Sequence, residues 1–217
     1  MDLFPIALSA RVSITATALT LLAGIPLAWA LARRDFPGRR LLDALVVSPL
    51  VLPPTVLGYY LLVLIGTRGP IGRVFEALSV SLAFTWRAAV IAAWLGSIPL
   101  LIKAAQAGFD GVDVRLEQAA RTLERSEWSI FWSVTLPLAW RSITAGVVLA
   151  FCRAFGDFGI TLMVAGSIPG KTQTLPLAIY DHVQANEMPQ ANLLSLVAVI
   201  AVVVLLLGVS RLARLRY

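Results

Sequence analysis

Long apolar runs separated by short polar segments dominate the hydrophobicity pattern of this chain. Five runs, at approximately 12–32, 41–65, 82–101, 143–165 and 193–209, have the composition of bilayer-spanning helices. Such helices need about 20 mostly apolar residues. The pattern therefore predicts an all-α integral membrane protein, a single transmembrane domain over residues 1–217 with five spans, or six as the upper count.

The composition excludes a soluble domain of this size. Of the 217 residues, 59% are hydrophobic and only 14% are charged, and the mean hydropathy is +0.83. A soluble domain needs more polar surface than this. The longest stretch between predicted spans, residues 102–142, is too short for a separate soluble domain.

The positions of the basic residues predict the orientation. Most of the 18 Lys and Arg residues lie in three regions: segment 33–40, the loop over 102–142 with its edges, and the C-terminus. Short loops on the cytoplasmic side are enriched in Lys and Arg. With five spans, the N-terminus is outside and the C-terminus cytoplasmic in the cell membrane. The net charge of +6 then reflects topology, and no nucleic-acid partner is expected.

The stretch VAGSIPGKTQTLP, residues 164–176, superficially resembles a phosphate-binding loop. That loop requires Gly, four residues and then Gly-Lys-Ser/Thr. Counting back from Gly170, the first Gly position is occupied by Ala165, and Pro169 removes a backbone donor. We therefore expect a turn on the outer face and no nucleotide or other cofactor bound by this chain.

The loop over residues 106–139 carries two helical patterns with a polar break at 124–126 between them. The small residues Ala119 and Ala120 would let a partner approach closely, while Glu117 and Arg121 would form charged contacts at the rim. This favours a helix–turn–helix that docks a partner. An amphipathic hairpin packed on lipid or on the chain's own spans fits the pattern equally well.

The same segment resembles the cytoplasmic signature of ABC importer permeases. That signature reads Glu-Ala-Ala, three residues, Gly, nine residues, Ile, one residue, Leu-Pro. The matching positions here are Gln118, Ala119, Ala120, Glu124, Val134, Leu136 and Pro137. The resemblance implies a type I importer fold in which this hairpin is the coupling helix that docks in a cleft of the ATPase subunit.

Glu124 departs from the signature because it stands where the family has Gly. A Gly in such a turn often serves a positive φ, which Glu adopts at a cost of about 1 kcal/mol. Either Glu124 tolerates that strain or the turn has a different shape.

Residues 48–62 and 155–180 look like the second span and the fourth-span exit of molybdate permeases, to which tungstate and sulfate permeases are closely related. The resemblance implies two copies of this chain, since five spans enclose a path poorly. It also implies two cytoplasmic ATPase subunits, which use ATP and magnesium, and an extracytoplasmic oxyanion-binding protein. We thus expect a molybdate importer, with tungstate or sulfate as alternatives.

Several residues within the spans are candidates for the translocation path. Pro53 and Pro54 interrupt helical hydrogen bonding, which predicts a kinked, gate-like helix or a simple packing irregularity. Arg153 and Asp157, four residues apart, would share a helix face and either assist a divalent anion or neutralise each other structurally. Close helix approach is expected at two small residues, Gly156 and Gly159.

The sequence offers no catalytic constellation. The single histidine, His182, lies in the predicted outer loop, and Ser48 and Cys152 have no base nearby in sequence. We expect no enzyme and no metal site. The alternative from another class is a non-transporting membrane scaffold that uses the hairpin for docking.

Overall fold

The computed structural model describes the backbone of residues 3–214 and the side chains of residues 3–208. In that range the chain forms eleven α-helices and one π-helical turn, and no strand. The elements are α1 (Phe4–Arg33), α2 (Arg39–Val51), α3 (Pro54–Ile65), α4 (Pro70–Ala77), α5 (Trp86–Asp110), α6 (Val114–Thr122), α7 (Glu127–Ile130), the π-helical turn (Phe131–Thr135), α8 (Leu136–Phe155), α9 (Gly159–Ala165), α10 (Leu175–Gln184) and α11 (Met188–Arg214).

Four continuous helical segments are long and apolar enough to cross a bilayer: α1, α5, residues 127–155 and α11. The bent pair formed by α2 and α3 is the fifth candidate. The predicted all-α architecture is thus confirmed, and by length and composition the described residues offer four spans, or the predicted five when the bent pair counts as one. The bounds differ from the sequence estimates, because hydropathy detects only the apolar part of a helix and these helices continue into polar ends.

The centre of the bundle is α5, which packs against both α1 and α8. Helices α1 and α5 run parallel, because residues early in both helices meet and so do later ones. The Arg11 guanidinium stacks over the Trp86 ring, and further along the Thr20 and Ser97 hydroxyls lie 3.5 Å apart. On the α8 side, a Cβ placed on Gly146 would lie 2.8 Å from the Ala104 Cβ. Small residues bring the backbones close, as is common between membrane helices.

The predicted span over 41–65 is not one helix but two, bent by 114°. The break falls at Leu52 and Pro53, both of which have extended backbone. Proline disfavours helical φ/ψ in the residue before it and supplies no N–H donor. The kink expected from Pro53 and Pro54 is therefore present, and α3 begins at Pro54 with Pro in its first turn, where no donor is needed.

The predicted span over 143–165 is wrong at both ends. Helical structure runs continuously from Glu127 to Phe155, and residues 159–165 form the separate short helix α9. Pro137 does not interrupt this helical segment. The π-helical turn ends at Thr135 and shifts the hydrogen-bond register there, so Pro137 lies in the first turn of α8. At the other end, Gly156 ends α8.

The turn predicted over residues 166–174 is confirmed. Gly166 and Gly170 have φ of +68° and +71°. The Ile168 carbonyl accepts the N–H groups of Lys171, Thr172 and Gln173. Because these donors close a turn on one carbonyl, they do not surround a phosphate site.

Candidate functional site: the hairpin and the broken helices

The predicted helix–turn–helix is confirmed and spans α6 and α7. The Asp113 side chain caps α6 by accepting the Arg115 N–H at 2.9 Å, and the Ser126 hydroxyl caps α7 by accepting the Ser129 N–H at 3.3 Å. Between the caps, Glu124 has φ of +56°. The turn therefore has the left-handed conformation that suits the family glycine, and Glu124 adopts it at a cost of about 1 kcal/mol.

The residues of the signature divide into exposed and buried groups. Gln118, Ala119, Glu124 and Pro137 are exposed, as is Arg121. In contrast, Ala120 is only 8% exposed, and Val134 and Leu136 are half-buried. Of the two adjacent alanines, only Ala119 therefore offers a surface to a partner.

Glu117 lies inside the chain and not at the rim where the sequence analysis placed it. It is 5% exposed. Its Oε1 accepts from Arg33 Nη2 at 3.1 Å and from the Thr135 hydroxyl at 2.8 Å, and its Oε2 lies 4.0 Å from Arg121 Nη2. A buried carboxylate needs such charged and hydrogen-bonding partners to offset its loss of hydration.

This buried network joins three elements. Arg33 is the last residue of α1 and also donates to the Val112 carbonyl at 2.9 Å. Thr135 ends the π-helical turn and is buried. Glu117, in the middle of α6, thus fixes the hairpin to the end of α1 and to the start of α8.

A second ion pair closes the hairpin on its exposed side. Arg121 donates to Glu127 through Nε at 2.6 Å and through Nη2 at 3.0 Å, which is a bidentate arrangement across the turn. These hydrogen bonds raise the pKa of Arg121 above its usual value. The pair holds α6 and α7 in register.

Aromatic side chains cluster beneath the hairpin. The Phe131 ring lies 6.0 Å from Trp29 and 6.1 Å from Phe109. It also contacts Trp128 and Trp132, which are 71% and 54% exposed. One face of the hairpin is therefore anchored in the core while its two tryptophans remain uncovered.

Helix α3, the second half of the bent pair, packs against the short helix α9 that follows α8. A Cβ built on Gly58 would lie 2.6 Å from the Met163 Cβ, and one built on Gly159 would lie 2.7 Å from the Pro54 Cβ. The close approach expected at Gly159 is therefore present. At Gly156 it is not, because an added Cβ would meet only the Cys152 carbonyl oxygen at 3.5 Å.

Arg153 and Asp157 pair across the end of α8 and not along one helix, since α8 ends at Phe155. Arg153 Nη1 lies 2.9 Å from Asp157 Oδ1. The other carboxylate oxygen accepts the Thr161 N–H at 3.0 Å and its hydroxyl at 2.6 Å. Asp157 therefore has a structural role at the first turn of α9, with its side chain 2% exposed, whereas the Arg153 side chain is 31% exposed.

Sequence reasoning missed Arg33 and Thr135, the partners of Glu117, and Gly58, the contact of Met163. In the sequence, Arg33 served only to predict the membrane orientation, and Thr135 lies within an apolar run. A signal existed for Gly58 alone, because a lone Gly inside an apolar helix often marks a close approach of another helix.

The chain resembles known membrane transport proteins over nearly its full length. Residues 23–215 match the family model described as binding-protein-dependent transport system inner membrane component. The molybdenum transport system permease protein ModB of Escherichia coli K12 is 44% identical over 214 residues, covering 96% of this chain and 93% of that protein. ModB of Haemophilus influenzae is 38% identical, covering 96% and 92%. A probable sulfate transport system permease protein, cysT of Chlorokybus atmophyticus, is 35% identical, covering 95% and 74%.

Two solved structures share the fold at low sequence identity. The inward-facing MetNI methionine ABC transporter aligns with a TM-score of 0.74 and 16% identity, covering 97% of this chain and 93% of that chain. A bacterial ABC transporter that imports alginate aligns with a TM-score of 0.74 and 14% identity, covering 97% and 79%. The fold is that of type I ABC importer permeases. This chain belongs to the family of binding-protein-dependent transport system inner membrane components.

Proposed function

We propose that this chain is the permease subunit of an ABC importer for molybdate. The observation that carries the proposal is the similarity, at 38–44% identity, to relatives named as molybdenum transport permeases over nearly the full length of both chains. The sulfate permease relative is less similar and is matched over a smaller share of its length. Molybdate is therefore favoured over sulfate, and tungstate is the further alternative.

The working complex contains two copies of this chain, two cytoplasmic ATPase subunits and an extracytoplasmic binding protein. The hairpin faces the cytoplasm, with the N-terminus outside and the C-terminus inside. Two ion pairs support this orientation: Arg33 contacts Glu117, and Lys103 contacts Asp43. They place the basic ends of α1, α2 and α5 at the same end of the bundle as the hairpin. ATP and magnesium are used by the ATPase subunits, whose closure moves the hairpins together and turns the path outward.

The anion path runs beside α3 and α9. The Arg153 side chain is partly exposed there. The Asp157 carboxylate already accepts hydrogen bonds from Thr161 and from Arg153. Arg153 then assists the divalent anion, and Asp157 holds both Arg153 and the start of α9 in place. Pro53 and Pro54 set the angle of α3, whose contact with Gly159 positions the two half-helices.

Uptake by the reconstituted complex tests the function. The complex is placed in liposomes with its binding protein loaded in turn with molybdate, tungstate or sulfate, and ATPase activity and anion uptake are measured together. We expect molybdate to give stimulation with uptake. Uptake of sulfate or tungstate alone would reassign the substrate, and ATPase stimulation by none of the three would contradict the importer proposal.

The substitution Ala119→Arg tests the docking role of the hairpin. Because Ala119 is exposed, the new side chain leaves the fold intact and intrudes on the partner surface. We expect at least a tenfold weaker affinity for the ATPase subunit, equivalent to about 1.4 kcal/mol of binding energy, with loss of copurification and a fall in uptake. Ala120→Arg is unsuitable as a docking test, because Ala120 is buried and its substitution would disturb the hairpin itself.

A matched control is Thr122→Arg, which adds the same charge to the exposed end of the same helix. Wild-type copurification and uptake with Ala119→Arg would show that Ala119 does not lie in the docking surface.

A further inference from the structure

A crevice separates the end of α1 from the hairpin. Its volume is about 480 Å³. Apolar side chains of Trp29, Ile130 and Phe131 line one part of it, and the guanidinium groups of Arg33 and Arg34 line another.

The chain itself leaves positive charge in this crevice unused. Glu117 is paired with Arg33, and Glu127 with Arg121. Arg34 lies over the Trp29 ring at 4.9 Å, and no carboxylate among the described side chains lies within 4.0 Å of it. In addition, Arg33 Nε is buried without a hydrogen-bond partner. The exposed guanidinium of Arg34 is therefore the charge that an anion entering the crevice can reach.

The location of the crevice indicates the source of that anion. Helix α1 has 30 residues and is about 45 Å long at 1.5 Å per residue, longer than the roughly 30 Å hydrocarbon layer. Arg33 and Arg34 at its end therefore lie at the level of the lipid headgroups. Exposed Trp128 and Trp132 beside Phe131 fit the same level, where tryptophan is enriched.

We propose that this crevice binds the phosphate of an anionic phospholipid from the leaflet on the hairpin side. The fork of the Arg34 guanidinium donates two hydrogen bonds to the phosphate oxygens, and the Trp29 ring supports it from below. A bound lipid would hold the end of α1 against the hairpin, next to the Glu117 network. The proposal is independent of which anion is transported.

Lipid titration of the purified full-length chain tests this proposal. In a neutral detergent, the unfolding midpoint is followed while phosphatidylglycerol, phosphatidylcholine with the same acyl chains, or inorganic phosphate is added. We expect phosphatidylglycerol alone to raise the midpoint. Arg34→Gln should weaken its apparent affinity about tenfold, the effect of losing one charge-assisted contact, and Arg34→Lys by less.

Arg125→Gln is the matched control, because Arg125 is an exposed arginine of the same hairpin that does not line the crevice. It should leave the affinity for phosphatidylglycerol unchanged. Equal affinity in wild type and Arg34→Gln would overturn the proposal, as would equal protection by phosphatidylcholine. Protection by inorganic phosphate would reassign the crevice to a soluble anion. Loss of ATPase-subunit binding by Arg34→Gln in lipid-free detergent, with lipid affinity unchanged, would assign it to the protein partner.

Discussion

Glu117→Ala is expected to destabilise the chain by about 3–5 kcal/mol, the effect of removing one partner of a buried ion pair. The substitution leaves Arg33 with a poorly hydrated charge and removes the acceptor of the Thr135 hydroxyl. The measurement is the free energy of unfolding of the full-length chain in detergent, obtained by denaturant titration. Glu117→Gln keeps the shape and one acceptor, so its effect should be intermediate.

The matched control for this prediction is Glu127→Ala. It removes a glutamate that also pairs with an arginine of the hairpin, but its side chain is largely exposed. Exposed pairs contribute little to stability, so the loss should be much smaller. If the two substitutions had equal effects on unfolding, Glu117 would not be the buried anchor of the hairpin.

The same variants distinguish docking from transmission. Glu117→Gln leaves the exposed surface around Ala119 unchanged, so the ATPase subunit should still copurify. Because the hairpin is then held less firmly to α1 and α8, anion uptake per ATP hydrolysed should fall in reconstituted liposomes. Unchanged uptake per ATP in a correctly folded Glu117→Gln variant would show that the Glu117 network does not couple ATP hydrolysis to transport.

Gly58→Ala should destabilise the contact between α3 and α9 by about 1–3 kcal/mol, the range for forced overpacking. An added Cβ would lie 2.6 Å from the Met163 Cβ and 3.3 Å from the Ile160 Cα, and the second of these atoms is backbone that does not yield easily. We expect α3 and α9 to separate, with a lower unfolding free energy and reduced uptake by the complex. Denaturant titration and liposome uptake measure the two effects.

Gly208→Ala provides the control, since it is also a glycine within a helix but has no heavy atom within 4 Å of the added Cβ. There the substitution should be neutral or stabilising, because alanine favours helix by up to about 1 kcal/mol. A stabilising effect of Gly58→Ala similar to that of Gly208→Ala would show that α3 and α9 are not held at this distance.

The number of spans and the hairpin were predictable because they rest on local properties. Apolar length determines whether a helix can cross a membrane, and the polar break at 124–126 marks the turn. The conformation at Glu124 was one of two possibilities, and the observed φ of +56° shows that this residue tolerates the strain. Turn geometry of this kind follows from a few neighbouring residues.

Hydropathy failed where a span changes direction. Residues 41–65 and 143–165 are mostly apolar, so a window average cannot detect a 114° bend or a break after Phe155. The prolines at 53 and 54 gave a local warning for the first break. For the second, the Asp157 carboxylate accepts the Thr161 N–H in the first turn of α9, a contact that hydropathy does not register.

The sequence by itself determined the class of the protein, its helical content, the hairpin and its family resemblance, because these follow from composition and from residues near each other in the chain. Only the tertiary structure decided that Glu117 faces inward to Arg33, 84 residues away, and that Arg34 borders a crevice with unused donors. Burial is a property of packing between distant segments. The same charged residue is a surface contact or an internal anchor depending on which helices close over it.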